Sequence, residues 1–189
     1  NLFSRVSIDF NSKIPENTTP SLLEAYKAGN KNTYLEELLF QYGRYLLISS
    51  SRKGTLPSGL QGAWSQYEVT PWTGGYWHNI NIQMNYWGAL SANLAETFTP
   101  YIEYHKAYLI KAQTLATRYI ERKQPEKLSM ESDGNGWTIG TAANPYKIRG
   151  PGGHSGPGTG GLTSKLFWEY YDFTRDSIFL SETGYPVIL

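Results

Sequence analysis

Cysteine is absent from this chain of 189 residues, and histidine and methionine are scarce, with three and two copies. Without cysteine, the chain can form no disulfide, no zinc–thiolate site and no cysteine nucleophile. The three histidines, His78, His105 and His154, lie far apart and lack the spacing of metal ligands. We therefore predict no bound metal and no cofactor. The lack of cysteine is compatible with any cellular compartment.

An excess of one charge and long hydrophobic runs are also missing. The 17 basic and 16 acidic side chains give a net charge of +1, which is too small to indicate nucleic acid or an anionic membrane as a partner. No apolar run approaches the roughly 20 residues of a membrane span. We predict no nucleic-acid partner and no membrane span.

The two ends of the sequence look cut. The chain opens in mid-pattern at Asn1 and stops on an apolar run at Leu189, and no signal peptide is visible. Its length suits one hydrophobic core but is short for two. We interpret residues 1–189 as a single partial domain, truncated at both ends, whose partner is the remainder of its own polypeptide.

Helices are predicted wherever apolar residues recur about every 3.6 positions. Thr33 and Glu36 form a capping box, and Thr99 followed by Pro100 is typical of a helix start. Further helices are predicted over residues 19–28 with Gly29 as the cap, along Trp87, Leu90, Leu94 and Phe98, along Tyr104 to Ile120, and along Leu162, Leu166, Phe167, Tyr170 and Phe173.

The segment from Trp77 to Trp87 reads WHNINIQMNYW. Amide and apolar residues alternate in it, and in an extended backbone the amides would share one face. These amides are Asn79, Asn81, Gln83 and Asn85. Directional amides beside aromatic faces suit a neutral, hydroxyl-rich ligand, although a wet strand face with two core tryptophans would give the same pattern. The period changes near Gln83, so we expect an extended entry that turns into a helix, with Asn79 and Asn81 at or before its start.

Two loops, residues 53–76 and 132–161, are long and rich in glycine and proline. Tryptophan is a poor residue for disorder, and loops of this length are often functional, so we predict ordered cleft walls. The tryptophans concerned are Trp64, Trp72, Trp77 and Trp137. Cleavage of a glycosidic bond normally needs two carboxyl groups, but the candidates show no paired arrangement. They are Glu68, Glu96, Glu131, Asp133 and Glu169, of which Glu96 and Glu169 are expected to form helix packing contacts or salt bridges.

Three sequence blocks carry a resemblance to a known family. They are residues 42–64 (YGRYLLISSSRKGTLPSGLQGAW), residues 79–87 (NINIQMNYW) followed by Asn93 and Leu94, and residues 168–174 (WEYYDFT) with Tyr185 and Pro186. In order and spacing the chain resembles the catalytic domain of glycoside hydrolase family 95, the inverting α-L-fucosidases. That family also contains α-L-galactosidases. The resemblance extends over nearly the whole sequence.

This resemblance implies a mainly α fold, an (α/α)₆ toroid with long Gly/Pro/Trp-rich loops, of which the chain would form about the first half. It implies that Asn79 and Asn81 hold the attacking water. The Asp that polarises them and the Glu that protonates the leaving oxygen would lie beyond Leu189. We expect substrate contacts from Trp64, Trp77, His78, Gln83, Asn85, Trp137 and His154.

One stretch departs from the family pattern. The family's fucosidases usually carry His-His-Asn-Thr-Asp after the Gly-Trp that matches Gly136-Trp137, whereas residues 138–144 here read TIGTAAN. We therefore expect a wider pocket with weaker selectivity for fucose.

The resemblance implies a glycosidase domain, inactive as this fragment alone, that cleaves terminal α-linked L-fucose or L-galactose from oligosaccharides with inversion. We expect it in an extracellular or periplasmic location. One alternative is a non-catalytic carbohydrate-binding protein on the same scaffold. Another is a purely structural helical domain whose tryptophan-rich loops contact a partner domain.

Overall fold

The computed structural model describes residues 1–62, 64–131, 134–151, 156 and 158–188. The fold is mainly α-helical, as predicted. The principal helices are α1 (Thr19–Lys27), α2 (Thr33–Ser50), α3 (Asn81–Trp87), α4 (Thr99–Lys123) and α5 (Gly158–Thr174). A final helical segment comprises Ser177–Phe179, a π-helical turn at Leu180–Gly184, and Tyr185–Ile188. Short 3₁₀ turns lie at Phe3–Arg5, Pro71–Gly74, Ala95–Phe98 and Pro125–Lys127.

Two helix starts differ from the prediction by one residue. The side chain of Asn32, not of Thr33, caps α2 by accepting a hydrogen bond of 2.8 Å from the backbone N–H of Leu35. Thr99 is already helical, because the 3₁₀ turn Ala95–Phe98 runs directly into α4. Asn and Thr side chains can both accept hydrogen bonds from the free N–H groups of a first helical turn, so the local sequence alone did not select between neighbours.

The predicted helix from Trp87 to Phe98 is wrong over its middle part. Helix α3 ends at Trp87, and the chain then forms turns until the 3₁₀ turn at Ala95–Phe98. Asn93 has a φ of 55°, in the left-handed region that asparagine tolerates better than most residues. Leu90 and Leu94 are therefore buried in turns rather than along a helix.

Aromatic side chains form the core that holds α3, α4 and α5 together. Tyr86 of α3 lies 5.2 Å from Tyr101 of α4 between ring centroids, and Tyr101 lies 6.0 Å from Phe167 of α5. All three rings are fully buried, and burial of each contributes about 1.5–3 kcal/mol. Helix α3, which begins at Asn81, is thus packed on α4, which in turn packs on α5.

Backbone hydrogen bonds join the chain entering α3 to the loop that precedes α5. The N–H of Tyr76 donates to the carbonyl of Ala143, and the N–H of His78 donates to that of Thr141, both at 2.9 Å. Extended pairing within the described ranges is otherwise limited to the isolated bridges Gly59–Gly62 and Asn144–Lys147. None of the helices described is both long and apolar enough to cross a membrane.

Candidate active site

A pocket of about 270 Å³ lies at the start of α3. A tight turn leads into it, in which the backbone N–H groups of Ile80 and Asn81 both donate to the carbonyl of Trp77, at 3.3 and 3.0 Å. The side chains that line the pocket come from three parts of the chain: Leu60, Trp72, Trp77, Asn79, Asn81 and Thr141.

The four amides of the alternating segment do not share a face, so that prediction is wrong. Helix α3 begins at Asn81, and alternate residues of a helix point in different directions. Gln83 is fully buried, and its amide donates to the carbonyl of His78 at 2.6 Å. Asn85 donates to the carbonyls of Ser58 and Gly59 at 3.1 and 3.0 Å.

Asn79 and Asn81 are the two amides that face the pocket. Asn79 lies before α3 and is exposed, whereas Asn81 is its first residue and is half-buried, which matches their predicted place relative to the helix start. Within the part of the chain that the structure describes, neither side-chain amide has a hydrogen-bond partner. Both are therefore available to donate to and accept from a ligand or a water molecule.

Two tryptophans form one wall of this pocket. The rings of Trp72 and Trp77 meet edge to face, with centroids 5.5 Å apart, and the indole N–H of Trp77 donates to the carbonyl of Trp72 at 3.1 Å. Trp72, Thr73 and Trp77 all have left-handed φ angles, of 60°, 55° and 53°. Each such residue costs on the order of 1–3 kcal/mol, and strain of this kind concentrates at ligand sites.

A glycine permits the close approach within this wall. A Cβ added at Gly75 would lie 2.9 Å from the indole nitrogen of Trp77 and 3.3 Å from the carbonyl oxygen of Trp72. Any larger residue would therefore force the Trp77 ring to shift.

The loop between α4 and α5 also contributes to the pocket lining. Thr141 is buried and reaches the pocket. Gly140 fits there because a Cβ would collide with the backbone carbonyls of Arg149 and Gly150. The hydroxyl of Tyr104 donates to the carbonyl of Asn144 at 3.1 Å and anchors the loop to α4.

The remaining predicted contact residues lie elsewhere. Trp64 is 82% exposed and lines a second groove, together with Asn85. The indole N–H of Trp137 donates to the carbonyl of Val187 at 2.9 Å, which fastens it to the final helical segment. His78 and Gln83 are fully buried. His154 lies outside the described residues, as does Asp133.

The structure thus brings together three of the predicted site residues, Trp77, Asn79 and Asn81. It adds Leu60, Trp72 and Thr141, which were not assigned contact roles from the sequence. Trp72 could have been found, because it lies in a loop already predicted to wall a cleft. Thr141 is brought there by backbone pairing 63 residues along the chain from His78, for which the local sequence carries no signal.

The pocket lining is electrically neutral over the described residues, since none of the six side chains is charged. Two of the candidate carboxylates are engaged in ion pairs, as predicted. Glu96 pairs with Arg5 at 2.6 Å, and Glu169 pairs with Lys165 one helical turn away. A carboxylic acid or base acting at this pocket must therefore come from other residues.

A helical scaffold with a neutral pocket of amides and indoles has the character of a carbohydrate-active domain. Comparison with known proteins shows which one. The family model described as the glycosyl hydrolase family 95 catalytic domain matches residues 1–189. The chain belongs to this family, and its mainly α structure is part of the family's (α/α)₆ toroid, as predicted.

Curated relatives agree with this family. The chain is 33% identical over 180 residues to a probable alpha-fucosidase A of Aspergillus niger, covering 90% of the chain and 21% of the relative. It is 33% identical over 198 aligned positions to alpha-L-fucosidase 2 of Arabidopsis thaliana, covering 99% and 22%. A probable alpha-fucosidase A of Aspergillus oryzae is 50% identical over 78 residues, covering 40% and 11%. The chain spans about a fifth of the length of the first two relatives.

Proposed function

We propose that this chain is part of a glycosidase that cleaves terminal α-linked L-fucose or L-galactose from oligosaccharides with inversion. In this proposal Asn79 and Asn81 hold the attacking water, and Trp72 and Trp77 pack against the apolar face of the sugar. The single observation that carries it is the pair of unengaged amides facing a neutral, tryptophan-walled pocket.

Inversion sets the chemical requirements. A carboxylic acid protonates the leaving oxygen on one side of the sugar, while an activated water attacks from the other. A neutral amide cannot remove a proton at pH 7, but its oxygen can accept a hydrogen bond from the water. Its N–H can donate to a carboxylate, which fixes its orientation. We propose that both carboxyl groups come from the remainder of the polypeptide.

The experiment is a kinetic comparison in the full-length protein. We expect Asn79→Ala and Asn81→Ala each to lower kcat by about 10² or more, the usual loss when a positioned catalytic group is removed. Asn30→Ala is the matched control, because Asn30 is an exposed amide between α1 and α2. It should retain wild-type turnover. Wild-type turnover in the Asn81→Ala protein would remove the assignment.

A second candidate is a carbohydrate-binding protein without activity. It is favoured by one observation, that no carboxylate lines the pocket within the described ranges. Release of free sugar by the full-length protein distinguishes an enzyme from a binder. Binding of the sugar, detected as a change in tryptophan fluorescence, without any release would favour the binder.

Two further expectations belong to this proposal. Apolar side chains of α2, among them Leu39 and Tyr42, are more than half exposed, and we propose that the rest of the polypeptide covers them as the toroid closes. An extracellular or periplasmic location stays a prediction.

A further inference from the structure

His78 was expected to touch the substrate, but its side chain lies in the core. It is fully buried, although its chain neighbours Trp77 and Asn79 both line the pocket. Its ring stacks on Tyr104 with an interplanar angle of 20°. A buried imidazole between two residues of the pocket lining therefore needs another explanation.

The hydrogen bonds of His78 define a single proton arrangement. The Nδ1 atom of His105 lies 2.7 Å from the carbonyl oxygen of Tyr101, and a carbonyl only accepts, so this nitrogen carries a proton. In a neutral ring the Nε2 atom of His105 is then an acceptor. The Nε2 atom of His78, 3.1 Å away, must donate to it. The Nδ1 atom of His78 then carries no proton, and it has no hydrogen-bond partner among the described residues.

The surroundings keep both rings neutral. Burial lowers the pKa of His78 well below its ordinary value, and the neighbouring His105 lowers it further. Burial lowers the pKa of His105 to about 4. The groups packed against the two rings are uncharged aromatic side chains: Tyr76, Tyr101, Tyr104, Tyr108 and Phe167. None of these neighbours is a carboxylate that could stabilise an imidazolium.

The backbone of His78 is held from two further directions. Its N–H donates to the carbonyl of Thr141, which also lines the pocket, at 2.9 Å. Its carbonyl accepts a hydrogen bond of 2.6 Å from the amide of Gln83 on α3. With the imidazole bound to His105 of α4, this one residue is tied to a loop and to two helices.

We propose that His78 is a positioning residue, which sets the place of the water-holding amides through its Nε2–H bond to His105. This role presupposes the glycosidase function proposed above. The bond fixes the chain between Trp77 and Asn79, where the left-handed φ of 53° at Trp77 would otherwise relax. A displacement of about 1 Å at a reacting group can lower the rate on the order of 10²-fold.

A matched pair of variants in the full-length protein tests this role. In His78→Gln the side-chain amide nitrogen can occupy the place of Nε2 and still donate to His105. The asparagine side chain of His78→Asn is too short to reach His105. We expect His78→Asn to lower kcat by about 10² with a smaller change in KM, and His78→Gln to recover most of the loss. Equal kcat in the two variants would overturn the proposal.

A double-variant cycle separates positioning from general loss of stability. If His78 acts through the amides, His78→Asn should cost little more once Asn81→Ala is present. Thr97→Val is the control, because it removes a buried hydrogen bond, 2.7 Å long to the carbonyl of Leu94, away from the pocket. It should lower stability and leave kcat unchanged. Fully additive losses for His78→Asn and Asn81→Ala would contradict the positioning role.

One measurement needs no variant. Nitrogen-15 NMR of the histidine rings should show the proton of His78 on Nε2 and that of His105 on Nδ1. A proton on Nδ1 of His78 would overturn the proposal even if every variant failed to fold. An unreactive wild-type protein with the expected ring protons would instead reject the glycosidase function and leave the hydrogen-bond arrangement intact.

Discussion

Acidification should destabilise the fold through the buried pair of His78 and His105. Both rings are neutral in the folded protein because burial lowers their pKa values. On unfolding they reach water and recover an ordinary pKa near 6.5. The unfolded chain therefore binds more protons than the folded chain below that pH, and stability falls as the pH falls.

The size of the effect follows from the shift at His105. Its pKa moves from 6.5 to about 4, and each unit corresponds to 1.36 kcal/mol, which gives a full contribution of about 3 kcal/mol. This stability is fully present above pH 6.5 and is lost progressively as the pH approaches 4. Between pH 7 and pH 5, stability is lost mainly over the roughly 1.5 pH units below the unfolded pKa of 6.5. His105 alone therefore lowers the free energy of unfolding by roughly 2 kcal/mol. His78 adds a loss of the same sign.

The assay is urea unfolding of the full-length protein at pH 7 and pH 5, for the wild type and for the double variant His78→Gln/His105→Gln. The variant replaces both imidazoles by amides that do not titrate, while all carboxylates remain common to the two proteins. We expect the free energy of unfolding of the wild type to fall by at least about 2 kcal/mol more than that of the variant. Equal pH dependence in the two proteins would show that these rings are not buried as neutral groups.

The remaining predictions concern the pocket and the fragment. Gly75→Ala should lower kcat/KM about tenfold or more by displacing the Trp77 ring, whereas Gly88→Ala, where an added Cβ has no neighbour within 4 Å, should not; equal kinetics would refute the packing argument. Because residues 138–153 lack the family's histidines, activity on simple aryl α-L-fucosides should be weak, and a kcat/KM of about 10⁴ M⁻¹s⁻¹ or above would contradict this. Residues 1–189 expressed alone should be inactive and self-associate, which a cooperatively melting, active monomer would disprove.

Helix positions could be predicted from the sequence wherever an apolar stripe ran for several turns. Helices α2, α4 and α5 were found in this way, because a period near 3.6 is a local property of the chain. Their first residues were less certain, since Asn32 and Thr33 are both good caps and the choice depends on the preceding turn.

The alternating segment, residues 77–87, does not fold as its local pattern indicates. Period two indicated an extended strand, but Gln83 is drawn into the core by contacts with His78 and with Thr163, which lies 80 residues further along the chain. The burial of His78 likewise depends on His105, 27 residues away. Such long-range polar contacts override the local pattern, and neither contact leaves a signal in the local sequence.

Asn79 and Asn81 reached the pocket for a reason that the sequence did contain. The family resemblance assigned them the water-holding role, and the change of period placed them at the helix start, which the structure matches. The left-handed backbone at Trp72 and Trp77 was not predictable, because bulky residues rarely adopt such φ angles and no local motif marks these two positions.

The stereochemistry of the first sugar released tests the central claim most directly. Proton NMR of the full-length protein acting on an α-linked L-fucosyl or L-galactosyl oligosaccharide resolves the two anomers before they interconvert. A water held by Asn79 and Asn81 opposite the leaving group predicts that the β anomer appears first. Initial release of the α anomer, or no release of sugar from either substrate, would contradict the account.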